Sequence, residues 1–311
     1  MVKRFAFGWG LASIVALVWA SAGSAEAETA QEILSTFNLV TTGDVSTTQD
    51  IVGNAVVGGS LSGASFFAGG SNVPASPELD LYGTLENSIN LNAGGDLYYN
   101  GTINPPAHVD FNGGGSQKPL DTTTNPLSDY TAPLEALSTQ LENLPATPGT
   151  SIVSGTFEAN GATGIVVFDI TALQLETDLA NNQVTFSGTG VTSFIINVEG
   201  NFTEPSSTNF NTAQEDALFN FYDATSVTLG NWKTSILAPK ADLSISNGFV
   251  TGSVFAASFS GGGELHNDNL FNGALPSSAP ETSTWAMMLA GFAGLGFVGF
   301  RRSRKEPVAA F

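Results

Sequence analysis

The sequence of 311 residues predicts a mainly β fold: a β-solenoid, similar to a parallel β-helix, with one helix packed alongside. Glycine occurs 35 times, and Ser, Thr and Asn are frequent too. Short apolar runs alternate with turn residues, and a loose Gly-polar-apolar unit recurs at Gly43-Asp44-Val45, Gly53-Asn54-Ala55, Gly59-Ser60-Leu61, Gly95-Asp96-Leu97 and Gly200-Asn201-Phe202. Short strands between such corners favour a solenoid, in which each coil buries its apolar positions on its neighbours. A sandwich would need longer alternating strands.

Residues 1–27 have the features of a secretory signal peptide. Lys3 and Arg4 form a positively charged n-region, residues 5–19 form an apolar h-region, and Ala25-Glu26-Ala27 is an A-x-A cleavage site. Ala25 and Ala27 are therefore the predicted cleavage residues, and we expect the mature chain to begin near Glu28. This segment predicts export from the cytoplasm.

The body of the chain is acidic and lacks cysteine. An exported domain without disulfides needs a continuous core, which residues 28–273 are long enough to supply. Between Glu28 and Asp268 there are 25 acidic residues and three basic ones, Lys118, Lys233 and Lys240. Phosphate backbones and anionic membranes would repel such a surface, so we expect no nucleic-acid partner. No D-x-[DN]-x-[DN]-G loop occurs, and calcium binding stays open.

A single long helix is predicted over residues 129–143. Its leucines recur at helical spacing (Leu134, Leu137, Leu141 and Leu144), and Pro145 and Pro148 follow it. Thr131 is the predicted N-cap, and Pro133 is expected in the first turn. We expect this helix to cover one apolar flank of the solenoid. Residues 29–37 and 213–219 are predicted as short helical segments, and residues 116–125 as a loop.

The last third of the body has the clearest strand pattern. Apolar alternation predicts strands at residues 226–229, 235–238, 243–245, 249–250 and 253–256. Gly-Asn, Pro-Lys and Asn-Gly corners separate these segments.

The C-terminal segment has three parts in order: Pro280-Glu281, an uncharged run from Trp285 to Phe300, and the basic residues Arg301, Arg302, Arg304 and Lys305. As a helix, the uncharged run would be about 24 Å long, slightly shorter than a bilayer core. The basic residues would keep their end in the cytoplasm. The segment resembles the PEP-CTERM sorting signal of Gram-negative bacteria, with Thr282 where that motif has a second proline.

This resemblance implies a C-terminal transmembrane sorting helix that anchors the chain in the inner membrane transiently. It also implies an exosortase-type membrane protease as partner, and release to the cell surface or extracellular matrix. A plain single-span anchor is the alternative. The predicted organisation is a signal peptide (1–27), a β-helix domain (28–273), a linker (274–279), a sorting signal (280–305) and a cytoplasmic tail (306–311).

The body is similar to the choice-of-anchor A domain over residues 33–273. The residues that carry the resemblance are 40–44, 54–59, 219–221, 234–242, 252–256 and 263–266. That family occurs on exported bacterial proteins with varied C-terminal surface anchors and is regarded as an adhesive β-helix. The resemblance implies a binding or matrix role, and it transfers no catalytic residue.

A search for catalytic and metal-binding motifs finds none. H-E-x-x-H, G-x-x-x-x-G-K-[ST], G-x-S-x-G and paired cysteines are absent from the sequence. His108 and His266 are far apart. Glu264 and His266 share one strand face and are predicted to form a local hydrogen bond that closes the last coil, since two ligands are too few for a metal site. We therefore expect no cofactor.

Aromatic side chains are the other candidates for ligand contact. Tyr98, Tyr99, Phe66, Phe67, Phe219, Phe221, Tyr222 and Trp232 have the chemistry of sugar-stacking platforms, but the 22 phenylalanines favour burial of most of them in the core.

The leading hypothesis is an exported, non-enzymatic adhesive or structural protein that binds exopolysaccharide or another surface component. The first alternative is an ice-binding-like solenoid, which regular Thr-x-Thr rows on one face would favour; the linear sequence shows no such rows. The second is a polysaccharide hydrolase or lyase with paired carboxylates, although nothing singles out a pair.

Overall fold

The computed structural model describes residues 29–67 and 73–276. Within them the chain forms three helices, α1 (Ala30–Thr36), α2 (Ser128–Glu142) and α3 (Ala172–Leu179). The strands of the first half are β1 (Phe37–Thr41), β2 (Val45–Thr47), β3 (Asp50–Ile51), β4 (Asn54–Val57), β5 (Leu61–Ser62), β6 (Ser65–Phe66), β7 (Glu78–Leu81), β8 (Ile89–Leu91), β9 (Asp96–Tyr99), β10 (Val109–Phe111) and β11 (Gln117–Pro119).

The strands that follow α2 are β12 (Ser151–Val153), β13 (Thr156–Glu158), β14 (Gly164–Thr171), β15 (Gln183–Ser187), β16 (Val191–Glu199), β17 (Phe202–Thr203), β18 (Asn209–Phe210), β19 (Gln214–Asn220), β20 (Ser226–Leu229), β21 (Thr234–Ile245), β22 (Phe249–Thr251), β23 (Val254–Gly261) and β24 (Glu264–His266). Every strand predicted in the last third is present, and β21 joins two of them.

The strands stack into faces of parallel sheet, as predicted for a solenoid. The helix-covered face has the order β11-β9-β7-β4-β1-β23-β21-β19-β16-β14. The chain then bends, and the next segments form a second face, β5-β2-β23-β21-β20-β17. A third face has the order β10-β8-β6-β3-β24-β22, and a smaller sheet, β12-β13-β15-β18, lies beyond it. Among the described strand pairs only β12–β13 is antiparallel.

The coils are not stacked in the order of the chain. The chain starts in the middle of the solenoid with β1, builds coils outwards to β11, and crosses along α2 to β14. It then returns coil by coil until β23 pairs with β1, with Leu39 opposite Val254. Residues more than 200 positions apart are therefore neighbours at the centre of the sheet.

α2 covers the outer side of the helix-covered face, as predicted. Its apolar positions (Tyr130, Leu134, Leu137 and Leu141) pack with outward-facing residues of the central strands (Val40, Val56, Leu218, Leu237 and Phe255) in one buried cluster. A spacing of three or four residues places these side chains on one helix face, which matches the sheet beneath it. α1 joins the same cluster through Ile33 and Leu34.

A buried polar network also fastens α2 to the sheet. The Ser138 hydroxyl donates to Asn220 Oδ1 at 2.6 Å, and Asn220 Nδ2 donates to the Ser138 carbonyl at 2.9 Å and to Asn197 Oδ1 at 2.9 Å. Asn197 Nδ2 donates to the Leu141 carbonyl at 2.7 Å. Both asparagines are fully buried, so these bonds fix the position of the helix.

The corner between the helix-covered face and the second face is made of stacked glycines. A Cβ on Gly83 would lie 2.0 Å from the Gly59 carbonyl oxygen, and a Cβ on Gly101 would lie 1.7 Å from the Gly83 carbonyl oxygen. Only glycine allows successive coils to approach so closely. The Gly-polar-apolar unit in the sequence therefore marks this corner at Gly43 and Gly59.

Three local predictions were wrong. Residues 213–219 form most of β19, not a helix, because pairing with β16 and β21 overrides the local composition. Thr131 does not cap α2: the helix begins earlier, its N-cap is Leu127, which makes no side-chain cap bond, and Pro133 lies inside the helix beyond its first turn. The expected loop at 116–125 contains the edge strand β11.

The helix predicted at residues 29–37 is α1, and it begins with a capping box between Thr29 and Glu32. The helix α3 was not predicted. The predicted signal peptide and sorting helix lie outside the described residues. None of the helices within residues 29–67 and 73–276 has the length and apolar character needed to cross a bilayer.

Candidate functional site

The second face of the solenoid, here called the hydroxyl face, is the candidate functional site. Its inward column is apolar and almost fully buried, and consists of Phe202, Val227, Leu243, Phe259, Val45 and Leu61. These residues lie opposite one another across five consecutive strand pairs. Because side chains alternate along a strand, the residues on either side of this column point to solvent.

One outward row, the hydroxyl row, consists of Ser and Thr only. In spatial order it is Thr203, Thr228, Ser244, Ser260, Ser46 and Ser62, and each member is the register partner of the next. All six are partly or fully exposed. The side chains are short, so the row is level, and neighbouring members repeat at the strand separation of about 4.8 Å.

The second outward row, the mixed row, combines hydroxyls with carboxylates. It contains Ser226, Asp242 and Ser258 as register partners, followed by Asp44 and Ser60. The Ser258 hydroxyl donates to Asp242 Oδ1 at 2.6 Å, and the Ser60 amide donates to Asp44 Oδ1 at 2.7 Å. These bonds hold the carboxylates in line with the row.

Two depressions run along the edge of the hydroxyl face where its strands end. One is bordered by Thr203, Thr228, Ser246, Asn231 and Asn247, among others. The other is bordered by Ser46, Ser62, Ser260, Thr48 and Asn87, among others. Together they border the ends of all six strand segments, so an elongated surface bordered mostly by hydroxyl and amide side chains follows this edge.

The charge of the face is negative. The mixed row contains two carboxylates, and neither row contains a basic residue. One of the three described lysines, Lys240, lies in β21 at the corner that precedes the hydroxyl face. No group of three or more His, Asp or Glu side chains suited to a metal ion occurs within residues 29–67 and 73–276. The two rows of hydroxyl and carboxyl side chains are suited to hydrogen bonding with a partner that has many hydroxyl groups.

Glu204 lies at one end of the hydroxyl row, directly after Thr203. Its Oε2 accepts a hydrogen bond of 2.6 Å from the Gly230 amide. Burial raises the pKa of this carboxyl to about 7, and the bond from Gly230 offsets only part of that effect. A carboxyl group that changes charge near neutral pH therefore borders the face.

The sequence-predicted candidates lie elsewhere. Most of the aromatic candidates form the core: Phe66, Phe67, Phe219, Phe221 and Trp232 are at most 1% exposed. His266 Nε2 lies 2.8 Å from Glu264 Oε2, which confirms the predicted local bond. His108 pairs with Ser88 and Asp110 on the third face. The predicted sorting residues (Pro280, Glu281, Trp285, Arg301, Arg302, Arg304 and Lys305) and the cleavage residues Ala25 and Ala27 lie outside the described residues.

The hydroxyl face was missed because its rows cross coils that are distant in sequence. A signal was present: a polar residue, an apolar residue and a hydroxyl residue occur consecutively at 226–228, 242–244, 258–260, 44–46 and 60–62. Only the pairing of β2 with β23 brings the two groups of tripeptides into one set of rows. The repeat is therefore spatial, with no constant period along the chain.

A parallel solenoid with buried apolar columns and one regular polar face belongs to the class of repeat architectures, whose stacked coils create an extended surface. The family model described as "Putative Ice-binding-like adhesive domain" matches residues 30–267. Because this match covers most of the chain, the chain belongs to that family. No curated protein and no solved structure matches the chain. The family match confirms an adhesive-type domain, whereas the choice-of-anchor A assignment and the PEP-CTERM signal stay predictions.

Proposed function

We propose that this chain is an exported surface adhesin that binds a hydroxyl-rich glycan, such as an exopolysaccharide, through its hydroxyl face. The observation that carries the proposal is the pair of outward rows, in which every strand of the face contributes a hydroxyl or a carboxylate. Sugar hydroxyls both donate and accept hydrogen bonds, as do Ser and Thr side chains. The role is non-enzymatic, which the adhesive family supports.

Charge narrows the glycan class. The described body is strongly acidic, and the rows themselves contain Asp44 and Asp242. A polysaccharide rich in carboxylate or sulfate groups would be repelled by this face. We therefore propose a neutral or amine-bearing polysaccharide as the ligand.

Export and sorting by an exosortase-type protease are the second part of the proposal. They rest on the signal-like residues 1–27 and on the tail that resembles PEP-CTERM, and the adhesive family agrees with a cell-surface or extracellular location. Both ends of the described chain lie against α2: Thr29, Ala30, Leu275 and Pro276 border one depression with Pro133 and Leu137. An anchor attached there would leave the hydroxyl face free.

Substitution at the centre of the hydroxyl row tests the binding proposal. The variant combines Ser46→Tyr with Ser260→Tyr in the full-length chain, which is kept in mild detergent. The two tyrosine rings would stand above the level row and keep a ligand away from the neighbouring hydroxyls. We expect the affinity for the glycan to fall at least about tenfold. A change of this size corresponds to the loss of one or two hydrogen bonds between neutral groups and of the contacts next to them. Asn90→Tyr, an exposed position of β8 on the third face, is the matched control.

Binding is measured as retention of each variant on polysaccharide isolated from the producing cells. Equal retention of the double variant and the Asn90→Tyr control would contradict the assignment of this face. No retention of the wild-type chain on neutral, amine-bearing or native polysaccharide would contradict the glycan proposal as a whole.

Ice binding is the second candidate, because hydroxyls repeat regularly along the hydroxyl row and the family description includes it. The mixed row favours a glycan over ice, because the carboxyl groups of Asp44 and Asp242 interrupt its series of hydroxyls. Inhibition of ice recrystallisation by the wild-type chain, lost in the double variant and kept in Asn90→Tyr, would favour ice over glycan. A polysaccharide hydrolase or lyase would instead release sugar from the retained polymer.

A further inference from the structure

The cavity around Glu204 has the features of a subsite at one end of the hydroxyl face. Its volume is about 280 Å³, and it is bordered by Thr203 and Thr228 of the hydroxyl row as well as by Glu204, Thr208 and Asn231. Two members of the row are thus shared between the face and the cavity. A polymer lying along the row would reach this cavity with its next residue.

The polar groups of the cavity are incompletely satisfied within the described protein. The Glu204 carboxylate accepts one bond, from the Gly230 amide. The Thr208 hydroxyl oxygen is buried and has no hydrogen-bond partner among the described residues. A largely buried carboxylate and a buried hydroxyl normally have partners, so both groups keep hydrogen-bonding capacity that the described residues do not use.

No cation within residues 29–67 and 73–276 neutralises Glu204. The other residues that border the cavity have no ionisable side chains. Lys233, on a neighbouring segment, donates instead to the Phe210 carbonyl at 3.3 Å and lies over the Phe249 ring. The negative charge of Glu204 is consequently without a partner of opposite sign in this part of the molecule.

We propose that this cavity binds an amine-bearing sugar residue, with the ligand ammonium against Glu204 and a ligand hydroxyl against Thr208. The inference rests on the proposed glycan-binding function and specifies its ligand as a polymer that contains free amino sugars. An ammonium group supplies the positive charge and the hydrogen-bond donors that the Glu204 carboxylate lacks as partners. The acidic body attracts a cationic ligand as well.

The test compares three oligosaccharides of equal length: glucosamine, N-acetylglucosamine and glucose oligomers. Binding to the full-length chain is measured by calorimetry at pH 5 and pH 7, for wild type, Glu204→Gln and the control Glu135→Gln. Gln keeps the acceptor for the Gly230 amide, and Glu135 is an exposed α2 residue whose replacement makes the same charge change. Circular dichroism verifies that each variant is folded.

We expect the wild type to prefer glucosamine oligomers by about tenfold, and this preference to disappear in Glu204→Gln but not in Glu135→Gln. The affinity of the wild type for glucosamine oligomers, divided by that of Glu204→Gln at the same pH, should also rise from pH 5 to pH 7, because ionisation of Glu204 creates the negative charge. Comparing the two proteins at each pH removes the effect of the ligand amines, which lose protons over the same range.

Equal binding of all three oligomers, unchanged in Glu204→Gln, would overturn the amine subsite and leave the glycan-binding face intact. Absence of binding by all three oligomers would overturn this inference, and the proposed function would fail with it only if the wild-type chain were also not retained on native polysaccharide. A preference for glucosamine that persists in Glu204→Gln would also overturn the inference, since the amine would then be recognised elsewhere.

Discussion

At the scale of single residues, Glu204 links binding to stability. Its folded-state pKa of about 7 lies above its ordinary value of 4.5 because burial disfavours the charged form. The protonated carboxyl is therefore favoured in the folded state, and this contribution to stability is complete below about pH 4.5 and is lost as the pH rises through 7. An unpaired charge is tolerated here at the expense of stability, as is common at binding sites.

Replacing Glu204 should therefore stabilise the protein at alkaline pH. The free energy of unfolding of Glu204→Gln, relative to wild type, should increase from pH 5 to pH 8 by up to about 3 kcal/mol. Urea unfolding of the full-length chain at the two pH values measures this difference. Glu135→Gln should show no such increase, and a parallel pH dependence in Glu204→Gln and wild type would refute the assignment.

At the scale of elements, α2 is held by a buried polar network as well as by apolar contacts. Asn220 connects Ser138 of α2 to Asn197 of the neighbouring strand, and Asn197 continues to the Leu141 carbonyl. Asparagine is costly in a core unless its bonds are made. Here the bonds fix which residues of α2 face which strands, while the leucines supply most of the burial.

Loss of this network should destabilise the domain more than loss of a surface bond on the same helix. Asn220→Ala leaves the Ser138 hydroxyl and Asn197 Oδ1 without their partners in the core, and we expect the free energy of unfolding to fall by about 2–4 kcal/mol. Thr139→Ala, on the exposed side of α2, should change it by less than about 0.5 kcal/mol. Thermal and urea unfolding compare the two, and similar effects would show that the network is dispensable.

The elements also show what local sequence can predict. α2 and the strands of the last third were predicted because each depends on local periodicity. Residues 213–219 were predicted as a short helical segment because they favour a helix in isolation, and pairing with β16 and β21 makes most of them part of the strand β19. α3 was missed, although Thr171 and Gln174 form a capping box at its start.

At the scale of the whole molecule, chain order and spatial order differ, and this difference hid the candidate site. Each tripeptide of the hydroxyl face is visible in the sequence, for example Asp44-Val45-Ser46 and Ser258-Phe259-Ser260. Their adjacency depends on the return of the chain to β1, which no local pattern encodes. The class of fold was therefore predictable, whereas the binding surface required the topology.

The position of the chain ends relative to the hydroxyl face leads to a prediction about processing. The described domain is entered and left beside α2, on the helix-covered face. An anchored chain and a released chain should therefore present the same hydroxyl face, and the predicted sorting signal should decide only where the domain is displayed. Fractionation of producing cells, with mass spectrometry of the mature C-terminus, tests this step.

We expect the wild-type chain to end near Glu281 and to appear in the matrix fraction. A variant with Arg301, Arg302 and Arg304 changed to Ala should stay uncut, because it lacks the basic cluster that fixes the orientation of the apolar run. Lys3→Ala, in the signal-like segment, is a control for a general effect of lost positive charge on export. An intact tail in the inner membrane for the wild type would favour a plain anchor over a sorting signal, and glycan binding by that anchored form would still be expected, because its binding face does not include the tail.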